Sequence, residues 1–304
     1  MYDIIIVGGG PAGLTAAIYA RRAGKSVLVI EKESFGGQMT FSPKIENYPG
    51  FESISGNELA AHMLDQAIAQ GAELAYEEVI DIDAGGEIKT VTTDCDSYEV
   101  LTVIIAAGVK HRLLGVEGEE DFIGNGISFC AVCDGAFYQD KHVIVVGGGN
   151  SALQEALLLS ETSAKVTIVQ NLDFLTGEQK LAELAENKDN IEIIYGCTVE
   201  AYLGGDSLTG LKIKETKSGD IREINADGVF LAIGLAPVND AFKNVAALDE
   251  RGYVVADGNC RTSGDGVFVA GDCRVKKIRQ IATAVSDGAT AALEACSWID
   301  SLKK

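Results

Sequence analysis

Proline is scarce in this chain, and positive charge is heavily outnumbered by negative. Four of its 304 residues are proline against 35 glycines, a balance that suits tight strand-to-helix turns rather than disordered linkers. Lys and Arg number 25 against 45 Asp and Glu, for a formal net charge of -20. That balance argues against non-specific nucleic-acid binding, and it obliges any acidic partner to find a local basic patch. No uninterrupted apolar run approaches membrane-spanning length. The start, Met1-Tyr2-Asp3-Ile4, runs straight into a strand, with no basic region and no signal-length apolar core. The cysteines number 7, an odd count without framework spacing, which suits a reducing compartment. The expectation is a cytoplasmic protein with neither nucleic acid nor membrane among its partners. Its 47% hydrophobic content and its length suffice for two domains with real cores.

One short segment carries redox chemistry. In Phe129-Cys130-Ala131-Val132-Cys133-Asp134-Gly135, two cysteines stand two residues apart and can close a small disulfide ring. A thiolate attacking a partner's disulfide leaves a mixed disulfide, which the second cysteine resolves. None of Cys95, Cys197, Cys260, Cys273 and Cys296 forms a second such pair, so dithiol exchange is favoured over zinc, although a metal site or a structural pair remains open.

The pair lies between two copies of a glycine turn. An offset of 139 residues aligns Ile4-Ile5-Ile6-Val7-Gly8-Gly9-Gly10 with Val143-Ile144-Val145-Val146-Gly147-Gly148-Gly149. Leu14 then falls on Leu153, Ala17 on Ala156 and Val27 on Val166. Each copy reads as strand, glycine turn, helix and second strand, the βαβ unit that binds dinucleotides. In the first copy the spacing predicts a helix from about Pro11 to Ala23, with Leu14, Ala17 and Ile18 on one face, and a strand from Ser26 to Ile30. Gly8-x-Gly10-x-x-Gly13 supplies the tight turn, the approach to a pyrophosphate and the close helix–strand packing. Glu31 follows the second strand, where a carboxylate accepts hydrogen bonds from ribose hydroxyls.

The second copy, Gly147-x-Gly149-x-x-Ala152, keeps the turn but puts Gln170 at the position of Glu31. No Lys or Arg lies between Lys165 and Lys180. A 2′-phosphate is normally held by arginine, and Asp173 would repel it; a cation reaching the site from elsewhere in the fold is the alternative. Further on, an apolar strand from Leu101 to Ala106 ends in Ala107-Gly108. A late strand from Gly266 to Val269 leads to Gly271-Asp272 and an alanine-rich helix. Asp272 reads as a ligand contact, a helix cap, or both. The expected architecture is α/β, two doubly wound Rossmann-like dinucleotide-binding domains with the second inserted in the first. The predicted division is 1–114 with 245–304, and 115–244, with hinges near Gly115–Glu119 and Asp240–Val245.

Taken together, these segments resemble the low-molecular-weight thioredoxin reductases along essentially the whole chain. The matching marks are Gly8 to Gly13, Gly36-Gly37-Gln38-Met39, Glu46-Asn47-Tyr48-Pro49-Gly50, Cys130 to Gly135, Gly147 to Ala152, Ile233-Gly234, Gly271-Asp272 and Arg279-Gln280-Ile281-Ala282-Thr283-Ala284. The resemblance implies a homodimer with one FAD per chain, an inserted domain that swivels, and thioredoxin as substrate. It implies FAD contacts from Gly8, Gly10, Pro11, Ala12 and Gly13, from Glu31, Gln38, Asn47, Gly108 and Asp272, and from Arg279, Gln280 and Ile281. It also implies that Cys133 meets the flavin, that Cys130 attacks thioredoxin, and that Asp134 moves a proton to or from the departing thiolate; a helix-end carboxylate held by backbone N–H groups is the plainer reading of Asp134.

Members that use NADPH usually carry His-Arg-Arg and a further Arg after the second unit. Here those positions read Gln170, Asn171, Leu172 and Thr176. This departure resembles the ferredoxin-dependent flavin thioredoxin reductases, so reduced ferredoxin is the expected donor. NAD(P)H at an atypical site, a deazaflavin, and a disulfide oxidase passing electrons to oxygen are the alternatives. A fall from about −400 mV in low-potential ferredoxins to about −270 mV in thioredoxin is worth about 6 kcal/mol over two electrons. Arg274-Val275-Lys276-Lys277-Ile278-Arg279 places four basic residues within six and is the expected docking patch for an acidic donor.

Overall fold

The computed structural model describes residues 1–42 and 45–302. In chain order the first segment comprises β1 (Tyr2–Val7), α1 (Pro11–Arg22), β2 (Val27–Glu31), α2 (Gly56–Ala69), β3 (Glu73–Tyr76), β4 (Val79–Asp83), β5 (Lys89–Thr93) and β6 (Ser97–Ile105). β7 (Val109–His111) follows, then β8 (Ile127–Ser128), α3 (Ala131–Asp134), β9 (His142–Val146), α4 (Asn150–Ser160), β10 (Lys165–Val169), α5 (Gln179–Glu186), β11 (Ile191–Ile194), β12 (Cys197–Gly204), β13 (Leu208–Glu215), β14 (Ile221–Asn225) and β15 (Gly228–Leu231). β16 (Leu235–Pro237), β17 (Val267–Val269) and α6 (Ile281–Leu302) complete the chain.

Two compact units result: Met1–Lys110 with Ala236–Lys304, and His111–Leu235. The crossings lie earlier than the sequence suggested, at β7 and β16, which pair as a two-stranded sheet. The predicted hinge at Gly115–Glu119 belongs instead to the body of the second unit. Glu119 is buried there, accepting the N–H groups of Leu114 and Gly115 and the hydroxyl of Tyr202. The other predicted hinge, near Asp240–Val245, sends Phe242 and Val245 into a core of the first unit.

In the first unit, β3-β2-β1-β6 run parallel, and one edge of β6 is shared between antiparallel β5 and parallel β17. The strands are almost uninterrupted Ile and Val because both faces are covered. Ile4 and Ile6 pack with α1, α2 and α6, while Ile5 and Val7 pack with β4, β5 and Phe242. The small residues Ala16, Ala17 and Ala20 of α1 share a core with Ala291, Ala292 and Ala295 of α6.

The second unit repeats the plan. Its parallel sheet runs β11-β10-β9-β15-β8, with α4 and α5 on one face and the antiparallel sheet β12-β13-β14 on the other. No helix among the described residues is long and apolar enough to cross a membrane.

Candidate functional site

Each unit carries its own constellation. In the first, β1 delivers the chain to Gly8, whose φ of 111° belongs to the left-handed region. A Cβ there would fall 2.3 Å from the Ala106 carbonyl oxygen, and one at Gly13 would fall 1.9 Å from the Gly8 oxygen. The turn therefore closes only with glycine at both positions. Pro11 opens α1, where its missing N–H costs nothing. No side chain caps this helix, so its first N–H groups are left for a ligand or solvent, and a Cβ at Gly10 would meet nothing within 4 Å.

Of the remaining expected residues, Glu31 and the segments that precede Gln38 and Asp272 lie against this turn. The Glu31 carboxylate accepts Gly9 N–H at 2.7 Å and Glu33 N–H at 2.8 Å. Gly37, which precedes Gln38, lies close enough for its Cβ position to approach Gly10 Cα at 3.4 Å, and Gly271 similarly abuts Ala12. The Asn47 amide donates to Gln280 Oε1 at 3.2 Å, just before Ile281 begins α6. Gly108 has a φ of 65° and open space on its Cβ side. Asp272 has a buried Oδ1 without a partner, and burial pushes its carboxyl up to about 6, against the pull of Lys276 and Arg279. A helix N-terminus without a cap, a ribose-type carboxylate and an orphaned buried acceptor fit a dinucleotide such as the FAD that the resemblance implies.

The basic run 274–279 does not form the expected docking patch. The side chains of Arg274 and Lys276 are only 12% exposed and both pair with Asp287, at 3.3 and 2.8 Å. The Arg279 guanidinium lies 4.3 Å from the Tyr253 ring centroid, and its Nε donates to the Asp272 carbonyl. Lys277 alone among the four is exposed.

In the second unit, β15 pairs with β8 and places Ser128 opposite Phe230. Two residues later Cys130, in extended conformation, starts the single helical turn α3. Cys130 and Cys133 form a disulfide with Cα atoms 5.3 Å apart, which takes up the pair that a zinc site would have needed. The Cys133 N–H donates to Cys130 Sγ at 3.2 Å. An N–H aimed at sulfur stabilises the thiolate once the bond opens. Asp134 closes the turn, its N–H on the Cys130 carbonyl. Its Oδ2 accepts the Ser128 hydroxyl at 2.6 Å, and its Oδ1 is buried without a partner. Burial raises its carboxyl above the usual range and the Ser128 bond partly offsets that.

Spacing alone did not point to three neighbours of this turn. His111 stacks on Phe129 with ring centroids 4.3 Å apart, and burial depresses its imidazole to about 4. Tyr138 packs edge-on to Phe230. Glu155 on α4 has a buried, unpartnered Oε2, and burial pushes its carboxyl up to about 8.

The second glycine turn keeps its backbone shape. Gln170 is 4% exposed, and a Cβ at Gly148 would fall 2.4 Å from its Nε2. Its amide is already engaged, donating to the Phe174 carbonyl at 3.0 Å and accepting Asn171 N–H at 3.1 Å. Thr176 and Gly177 bring the loop after β10 back onto the Gly148 carbonyl, as Gly36 does onto Gly9 in the first unit. Leu175 turns into the core and Phe174 stays exposed. Lys217, on the turn between β13 and β14, pairs with Asp173 at 2.7 Å, both side chains largely exposed.

Residues 2–288 match the family model described as pyridine nucleotide-disulphide oxidoreductase. A thioredoxin reductase of Listeria monocytogenes is 44% identical over all of this chain and 96% of its own length. One from Bacillus subtilis is 40% identical over the same shares. The crystal structure of thioredoxin reductase from Streptococcus pyogenes superposes with a TM-score of 0.93 at 42% identity, covering 99% of each chain.

Proposed function

The chain belongs to the pyridine nucleotide-disulphide oxidoreductase family and within it to the thioredoxin reductases, and on that premise we propose that it reduces thioredoxin through the Cys130–Cys133 pair with electrons taken from a pyridine nucleotide. The observation that carries this reading is the disulfide itself, set at the start of α3 beside a buried carboxylate. FAD is the cofactor of the family; Gly8, Gly10, Pro11, Ala12, Gly13, Glu31 and Asp272 would hold it, and when bound it supplies the electron pair that opens the disulfide to the dithiol. The Cys130 thiolate attacks one sulfur of oxidised thioredoxin; a Cys130–thioredoxin bond forms as the thioredoxin S–S bond breaks, and the departing thiolate takes a proton. The Cys133 thiolate then attacks Cys130 Sγ, re-forming the intramolecular bond and releasing the second thioredoxin thiolate, which is protonated in turn. Two electrons pass, and the two protons given up by the protein's dithiol equal the two gained by thioredoxin. Asp134 holds and returns a proton beside Cys133.

The ferredoxin donor expected from the missing basic residues has no support from full-length similarity to thioredoxin reductases of a pyridine nucleotide family, and the loss of the 274–279 patch removes its docking argument. It persists as a second reading on one observation, the Gln170 amide already engaged by backbone. Anaerobic mixing with NADH, NADPH and reduced ferredoxin separates the two. Bleaching of bound flavin by either nucleotide is expected; bleaching by ferredoxin alone would reverse the donor assignment.

A further inference from the structure

The redox turn contains one hydroxyl to which the cysteine spacing assigns no role. We propose that Ser128 is a positioning residue for the disulfide exchange: it fixes the Asp134 carboxylate so that Oδ1 alone carries the proton passed to and from the sulfurs. The inference rests on the proposed dithiol chemistry and adds the group that orients its acid.

Hydrogen-bond direction decides the matter. Ser128 ends β8 at 5% exposure. Its Oγ accepts the Cys130 N–H at 3.2 Å, so one lone pair is committed to the backbone of the cysteine itself. A hydroxyl has a single hydrogen, and here it goes to Asp134 Oδ2 at 2.6 Å. A proton arriving at Oδ2 would compete with that hydrogen. Oδ1 is buried and has no partner, so a proton there displaces nothing. One side chain thereby ties the attacking cysteine's backbone to the acid that serves the pair, and it does so from a strand, the rigid part of the unit. Burial favours the protonated carboxyl and the Ser128 donation opposes it. The other titratable groups around α3 include Tyr138, on the adjoining turn, Glu155, on α4, and His111, stacked on Phe129; Asp227 bears on Tyr138, and Lys141 lies over its ring.

The test uses FAD-loaded protein, pre-reduced and freed of reductant. Its oxidation by bis(2-hydroxyethyl) disulfide, whose leaving thiolate needs a proton, is followed across pH and repeated with oxidised thioredoxin. Ser128→Ala should slow exchange roughly tenfold. It should also move the alkaline fall in rate upward by about one pH unit, because the carboxylate loses a donor that favoured its charged form. Ser128→Thr should restore both, and adding Ser128→Ala to Asp134→Asn should change nothing further. If the alanine variant does not fold, Ser128→Gly provides the same deletion. An unmoved pH limb, or an equal loss in both backgrounds, overturns the proposal. Failure of the parent protein with thioredoxin but not with the small disulfide would instead sink the proposed function and leave the Ser128 result readable.

Discussion

Buried carboxylates set the behaviour of this protein at the level of single residues. Asp134, Glu155 and Asp272 each have an oxygen out of water and unpaired, and desolvation raises all three. Glu155 shows the consequence for stability most cleanly, because burial is its sole cause of shift. Its folded value of about 8 exceeds its ordinary 4.5. The stabilising proton is therefore held fully below the ordinary value and is lost as pH rises through about 8. Glu155→Gln, which carries no charge to desolvate, should flatten the fall in urea midpoint between pH 5 and pH 8.5. At the upper end it should exceed the parent by an amount on the order of a few kcal/mol. Parallel curves for the two proteins would show that Glu155 ionises freely in the folded state. The cysteine pair and the glycine fingerprint were legible because their meaning lies in spacing along the chain. Glu155 and Ser128 were not, since burial and a hydrogen bond to Asp134 come from which strands and helices meet. The 274–279 run was misread for the same reason: nothing in the order of its charges shows that Asp287, on the next helix, takes up two of them.

At the level of elements, two βαβ units share a backbone plan and differ in the residue at the end of the second strand. β2 ends in Glu31, whose carboxylate is held by Gly9 and Glu33 N–H groups. β10 is followed by Gln170, whose amide is bound to its own loop. The repeat made this contrast visible from sequence, and the structure adds that the β13–β14 turn contributes Lys217 against Asp173. A cation already paired with a carboxylate is a poor receptor for a 2′-phosphate. Asp173→Asn should free it and raise affinity for NADPH relative to NADH by roughly two- to fivefold, the scale of an exposed ion pair. Calorimetric Kd values for both nucleotides check this, and an unchanged ratio would remove Lys217 from the nucleotide site. The crossings between units were expected a few residues late because β7 and β16 are short and lack a periodic signature, whereas Gly115–Glu119 looks like a linker until Glu119 is seen anchoring Tyr202.

For the molecule as a whole, the fold provides two dinucleotide-type units in one chain, the disulfide in one and the complete glycine fingerprint in the other. A net charge of -20, with two cations of the main basic run paired to Asp287, leaves that run poorly suited to hold an acidic partner against the overall field. The most direct test is thiol transfer without any external donor. Protein reduced at its cysteine pair and freed of reductant is mixed anaerobically with oxidised thioredoxin, and thioredoxin thiols are counted by mass after alkylation. The account predicts reduced thioredoxin in proportion to the Cys130–Cys133 dithiol supplied, and a trapped mixed disulfide at Cys130 when Cys133 is replaced by Ser. Thioredoxin that stays fully oxidised beside a demonstrably reduced pair would contradict it.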